Sequence, residues 1–114
     1  MKICKISLLL AAVLTARLGT INYNGHRETW YDLDMSNVVA KTDKAIGMTD
    51  LYSVREDGVK CYASFVIVAA DLNIHPRYTF VETSLGTGVV LDSLGDVEDR
   101  ETIDIATNWK EIKP

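Results

Sequence analysis

Three aspartates sit at or inside apolar, β-branched segments: Asp71 closes VIVAA, Asp92 closes GTGVVL and Asp104 lies within TIDIA. A carboxylate mounted on a strand is held more rigidly than one on a loop, and rigid mounting is what acid–base chemistry requires. If the fold gathers the three, mutual repulsion and partial burial raise the pKa of at least one. That would leave a carboxylic acid able to donate a proton near neutral pH. Taken singly, each aspartate is equally a turn former or a solvated strand cap.

The remaining chemistry-bearing residues are sparser. His26 and Arg27 precede Trp30 and Tyr31, and a flat aromatic face there either stacks on a sugar ring or packs into a small core. Thr87, between Gly86 and Gly88, joins Trp30 and His26 as a candidate substrate-binding residue. His26 and His75 lack the close spacing of paired metal ligands, and Cys4 and Cys61 form no Cys-x-x-Cys pair, so neither a metal nor another cofactor is expected. Cys61 reads as a small buried hydrophobe. Ser84 is not in a Gly-x-Ser-x-Gly elbow, and the Gly86 to Gly88 segment lacks the rest of a phosphate loop.

These residues must be carried by one small domain, because 114 residues leave no room for a second core. An apolar fraction of 47% with 25% charged residues is that of a globular chain. Twelve Lys and Arg against sixteen Asp and Glu, a net charge of -4, with no basic run, supply no footprint for phosphate, so nucleic acid is not expected as a partner. Asp34 or Ser36 can cap a helix whose apolar residues Val38, Val39, Ala45 and Ile46 end at Gly47. Asn22 to Gly25 and Asp57–Gly58 read as turns. Tyr62 to Ala70 reads as one central strand buried on both faces, with Phe65, Ile67 and Val68 in the core. Tyr78 to Thr83, Gly86 to Leu91 and Thr102 to Ala106 read as further short strands, and the glycine corners between them suggest a small all-β barrel.

The N-terminus admits two readings. Lys2 and Lys5 precede the apolar stretch Ile6 to Ala16, which has the form of a secretory signal and is too short for a stable membrane span. Alternatively, Leu9 to Leu18 is the first strand of the domain. Residues 1–16 are thus a signal peptide or a first strand, and residues 17–114 are the domain proper. The protein is secreted or associated with the cell wall in the first case and cytoplasmic in the second.

The segment Val66 to Asp104, VIVAADLNIHPRYTFVETSLGTGVVLDSLGDVEDRETID, resembles the three-aspartate (3D) domain. In that pattern an apolar strand ends in Asp, a Pro-containing turn follows, a glycine-containing strand ends in Asp, and the last Asp falls in an Ile-Asp or Leu-Asp pair. Upstream, NGHRETWYDLDMSNVV and VREDGVKCYASFVIVAAD extend the resemblance to roughly Leu14 to Trp109. The resemblance implies a six-stranded double-psi β-barrel with one inserted helix, similar to the catalytic barrel of the membrane-bound lytic transglycosylase A family. It further implies cleavage of peptidoglycan glycan strands in bacteria. Asp104 would be the catalytic acid–base, Asp92 would orient it and keep its pKa high, and Asp71 would support the floor of the site. The alternative is a non-catalytic barrel module that binds cell wall or another protein through a degenerate site. Three departures from the pattern stand out. Asp92 is followed by Ser93, Leu94 and Gly95 where the family has Thr-Gly, Tyr78 stands where many relatives place Gly, and Asp96 to Glu101 is acidic where some relatives are basic.

Overall fold

Asn24 and Gly25, with φ of 51° and 87°, reverse the chain between β1 (Ile21–Tyr23) and β2 (His26–Tyr31). Asn and Gly tolerate this left-handed backbone, which matches the twist of the flanking strands and fixes the pairing of Ile21 with Glu28. The computed structural model describes residues 20–95 and 97–110. The N-terminal segment read as a signal or first strand lies outside the described residues, apart from any continuation past residue 19.

After β2 the chain enters helix α1 (Ser36–Ile46). Asp34 accepts hydrogen bonds from the Ser36 backbone N–H (2.9 Å) and hydroxyl, so it organises the turn before the helix, while Met35 is the N-cap itself. Gly47, with φ 71°, ends the helix and donates to the Asp43 carbonyl. Val38 and Val39 face the sheet, whereas Ile46 is exposed, so the buried stripe is narrower than the apolar pattern suggests. The entry loop is pinned from below by Lys60, whose buried ammonium donates to Asp32 Oδ1 (2.8 Å) and the Leu33 carbonyl (2.7 Å).

Six further strands follow: β3 (Tyr52–Val54), β4 (Lys60–Tyr62), β5 (Phe65–Ala70), β6 (Phe80–Thr83), β7 (Gly86–Ser93) and β8 (Ile103–Ala106). The long apolar run is therefore not one strand. Ala63 and Ser64 both take positive φ, 50° and 69°, and turn Lys60–Tyr62 back against Phe65–Ala70. A two-residue turn of this kind is normally announced by Asn-Gly or Asp-Gly, and Ala-Ser carries no such signal. Replacing Ala63→Asn and Ser64→Gly together relieves that backbone, and we expect a gain of about 1 kcal/mol in urea unfolding. An unchanged midpoint would show that the turn is not strained.

All eight strands belong to one mixed sheet. β2 pairs in parallel with β8, β8 pairs antiparallel with β5, and β5 pairs in parallel with β7, which carries β6 on its far side. β4 and β3 continue from the first residues of β5. Among the described residues there are eight strands where six were expected: the β1–β2 hairpin and β3 lie upstream, and the apolar run divides in two. The pairings describe an open sheet. Period-two alternation splits the core between its faces: Val66, Val68, Val90, Ile103 and Ile105 on one, Ile67, Val89, Leu91 and Ala106 beneath α1 on the other. Complete burial of each such Ile or Val is worth about 1.5–3 kcal/mol. Phe65 is only partly buried, while Ile67 and Val68 are fully enclosed, as is the Cys61 thiol. Gly58, with φ 88°, lies against the chain leaving β8: a Cβ there would stand 2.2 Å from Asn108 Oδ1, so only glycine fits.

Candidate acid–base site

The register places Thr29 of β2 opposite Asp104 of β8, Asp104 opposite Ala69 of β5, and Ala69 opposite Asp92 of β7. Four adjacent strands thus present a row, Thr29–Asp104–Ala69–Asp92. A bulge decides its composition. Val68 pairs with Val90 but Ala69 pairs with Asp92, so Leu91 is the extra residue that advances the carboxylate into the row. Bulges re-aim side chains in this way. With neighbouring strands about 4.8 Å apart, the backbones at Asp104 and Asp92 are separated by about 9.5 Å, with the buried Ala69 between them.

Asp104 is partly buried, and its Oδ1 accepts a 2.7 Å hydrogen bond from the Thr29 hydroxyl. Burial pushes its pKa up and the negative charge of Asp92 adds to the rise, while the Thr29 hydrogen bond opposes it; the net direction is upward. The same two carboxylates act on Tyr31, two residues along β2 from Thr29. Burial, then Asp92, then Asp104 hold its phenol proton far above the ordinary range. The Tyr31 hydroxyl is buried with no hydrogen-bond partner among the described residues, a costly state for a donor. An acid of raised pKa, a second carboxylate and an unanswered phenol donor therefore share one region of the sheet.

Asp71 has a different setting. Its Oδ2 accepts from Arg100 Nε at 2.7 Å and its Oδ1 from the Asn73 backbone N–H at 2.9 Å, which together hold the carboxyl below its usual range. Its side-chain hydrogen bonds reach neither Asp92 nor Asp104. It lines a separate polar hollow of about 410 Å³ with Asn73, Leu94, Gly95 and Arg100. The structure therefore brings together two of the three aspartates, and the third is committed to an ion pair.

The three candidate substrate-binding residues are dispersed. His26, Glu28 and Trp30 alternate onto the face of β2 opposite Thr29 and Tyr31. There His26 Nε2 lies 3.1 Å from the Glu28 carboxylate and Trp30 packs edge-on against Trp109, ring centres 6.0 Å apart. Thr87 donates to Glu82 Oε1 at the far end of β7, about 16 Å along the strand from Asp92. None of the three borders the carboxylate row. Among the described residues no three His, Cys, Asp or Glu side chains gather as a metal ion would need.

Sequence reasoning did not single out Thr29, Ala69 or the orphaned Tyr31 hydroxyl. Thr29 and Ala69 carry no local signal, since only the register makes them neighbours of Asp104. Tyr31 was visible as an aromatic beside Trp30, but its face of the strand was not. Comparison with protein-family models, with curated proteins and with solved structures finds no match for this chain.

Proposed function

We propose that the protein cleaves the glycan strands of peptidoglycan as a lytic transglycosylase, on a sheet that closes as a double-psi barrel of the three-aspartate type. The observation that carries this reading is the register that sets the half-buried Asp104 two strands from Asp92, a setting whose burial and neighbouring charge raise the Asp104 pKa. The barrel reading is supported by the parallel β2·β8 and β5·β7 pairs flanking the antiparallel β8·β5 pair, and by Thr107, which donates to the Tyr31 carbonyl and bridges to Val59. Among the described residues no helix is long and apolar enough to cross a membrane.

In this mechanism the Asp104 carboxyl gives its proton to the glycosidic oxygen as the bond from that oxygen to the anomeric carbon breaks. The substrate's own C6 hydroxyl then attacks the anomeric carbon and returns its proton to Asp104, so one group serves as acid and base and no water is consumed. Asp92 keeps the Asp104 proton in place before the reaction. The product is a 1,6-anhydro sugar. Digesting purified peptidoglycan and weighing the fragments tests the proposal, because an anhydro end is lighter by one water than a hydrolysed end. Hydrolysed ends would instead indicate that Asp92 activates a water, as in ordinary inverting enzymes, whose carboxyls stand ~6.5–9.5 Å apart.

The non-catalytic reading, a module that binds cell wall or a protein, is favoured by one observation: Arg100 occupies the Asp71 carboxylate. Intact glycan strands after prolonged digestion would select it.

A further inference from the structure

Strand β6 ends one arm of the sheet: it pairs with β7 and, among the described residues, with no other strand. Its register shows which backbone groups are already used. Thr83 faces Gly86 across the two-residue turn Ser84–Leu85 as a hydrogen-bonded pair, and by alternation Val81 also turns its N–H and C=O toward β7. The Val81 carbonyl oxygen accordingly lies so near Gly88 that a Cβ there would stand 3.2 Å from it. The N–H and C=O of Phe80 and Glu82 therefore point away from the sheet.

An edge of this kind templates the addition of another strand unless charge, proline or a bulge blunts it. β6 contains no proline or lysine and pairs with β7 without a register shift. Its single charge, Glu82, is drawn back along its own sheet, where it accepts from the Thr87 hydroxyl at 2.7 Å. Beside it Phe80 is 59% exposed, the most open large apolar side chain among the described residues, its ring tilted against that of Phe65 with 4.7 Å between centres.

We infer that the β6 edge is the contact surface for a second copy of this chain, joined antiparallel about a twofold axis at Val81. This axis sets Phe80 opposite Glu82 of the partner subunit and Glu82 opposite the partner's Phe80, so each pair exchanges two N–H···O bonds through the groups that point outward. Neighbouring registers fail. An axis at Glu82 opposes two carboxylates, and an axis at Phe80 calls on Tyr78, whose φ of 71° is not extended and whose N–H is already donated to the Val90 carbonyl. The Val81 register also makes the two Phe80 rings diagonal neighbours on one face, about 7–8 Å apart at the backbone and within reach of each other. On the other face the half-buried Val81 meets its own copy. Each exposed apolar group is thus covered by the same group of the other chain, as an isologous pair requires. An edge this short makes the association weak.

The test follows the mass of the whole chain by sedimentation from about 10 μM to 1 mM, a range that spans weak association, with hydrogen exchange at the β6 amides read in parallel. Mass should climb toward that of two chains, and the Phe80 and Glu82 amides should slow with it, while the Val81 amide, already bonded to β7, stays as it was. Phe80→Glu sets like charges opposite each other twice and should hold the protein at one chain throughout, with little change in melting temperature. Adding Glu82→Lys turns both contacts into opposite-charge pairs and should tighten association roughly tenfold over the single variant. A one-chain mass for the wild type across the whole range overturns the inference, as does a dimer in which the Phe80 and Glu82 amides exchange no more slowly. Protection of those amides that ignores concentration means that the same chain covers its own edge, which also removes the proposal. No recovery in the double variant rules out the Val81 axis and the proposal with it.

Discussion

Under the proposed function, Asp104→Asn is expected to lower the rate of glycan cleavage by ~10²- to 10⁴-fold, the usual worth of a positioned general acid, with the fold intact. Asparagine keeps the shape, and its amide oxygen can still accept from Thr29, but it has no proton to transfer. In the proposed reaction the upward shift at Asp104 sets the sign of the pH dependence: the rate is expected to fall as pH rises through the raised folded pKa, because only the protonated form can act as acid. Stability follows the same group. A carboxyl whose folded pKa exceeds its unfolded value of about 3.9 contributes its full stabilisation below that pH and loses it as pH climbs through the folded value. The Asn variant has no charge to bury, so it should melt above the wild type at pH 7 and lose that advantage toward pH 4. Melting curves at the two pH values check this. A variant that melts lower at both has a packing defect, and its lost activity would say nothing about proton transfer.

Glu28→Ala is expected to cost about 3–5 kcal/mol, a large part of the stability of a domain this size. Glu28 is fully enclosed on β2 and accepts from the Ser84 backbone N–H at 2.9 Å and the Ser84 hydroxyl at 2.5 Å, with His26 Nε2 at 3.1 Å. It thus fastens the β6–β7 turn to the β2 strand that carries Thr29 and Tyr31. Truncation strands the half-buried Ser84 donors and opens a cavity where the enclosed Glu28 side chain was, and both effects are unfavourable. Urea unfolding measures the loss, and hydrogen exchange at Ser84 and Leu85 should rise first. A loss below 1 kcal/mol would mean that the carboxylate does not anchor the turn in solution.

Local signals were legible where local chemistry decides the structure. Asn24–Gly25, Asp57–Gly58 and Gly47 mark the turns and helix end that the structure contains, and the Ile-Asp-Ile alternation of β8 gives its two faces correctly. Signals failed where a tertiary partner decides. Nothing in Ala63–Ser64 announces a reversal, since the pairing of β4 with β5 imposes it. Glu28 occupies an inward position that alternation alone assigns to an apolar residue, and its partner Ser84 is 56 residues away. The proximity of Asp92 to Asp104 depends on one bulged residue, Leu91, and a one-residue slip in that register would exchange a carboxylate for a leucine. Asp71 shows the converse: its place at a strand end was plain, but its commitment to Arg100 was not.

The position of β8 has a consequence for assembly in time. The strand lies between β2 and β5, and its Asp104 meets Thr29 across 75 residues of chain. Bringing such distant segments together is slow, because loop closure precedes the contacts that reward it. A chain emerging from the ribosome completes β2 and β5 long before β8, and until β8 docks both strands keep an unpaired edge. Asp104 acquires its burial and its neighbouring charge only at that docking step. In a nascent or unfolded chain Asp104 is therefore an ordinary carboxyl, and its raised pKa arrives only with the docking of β8.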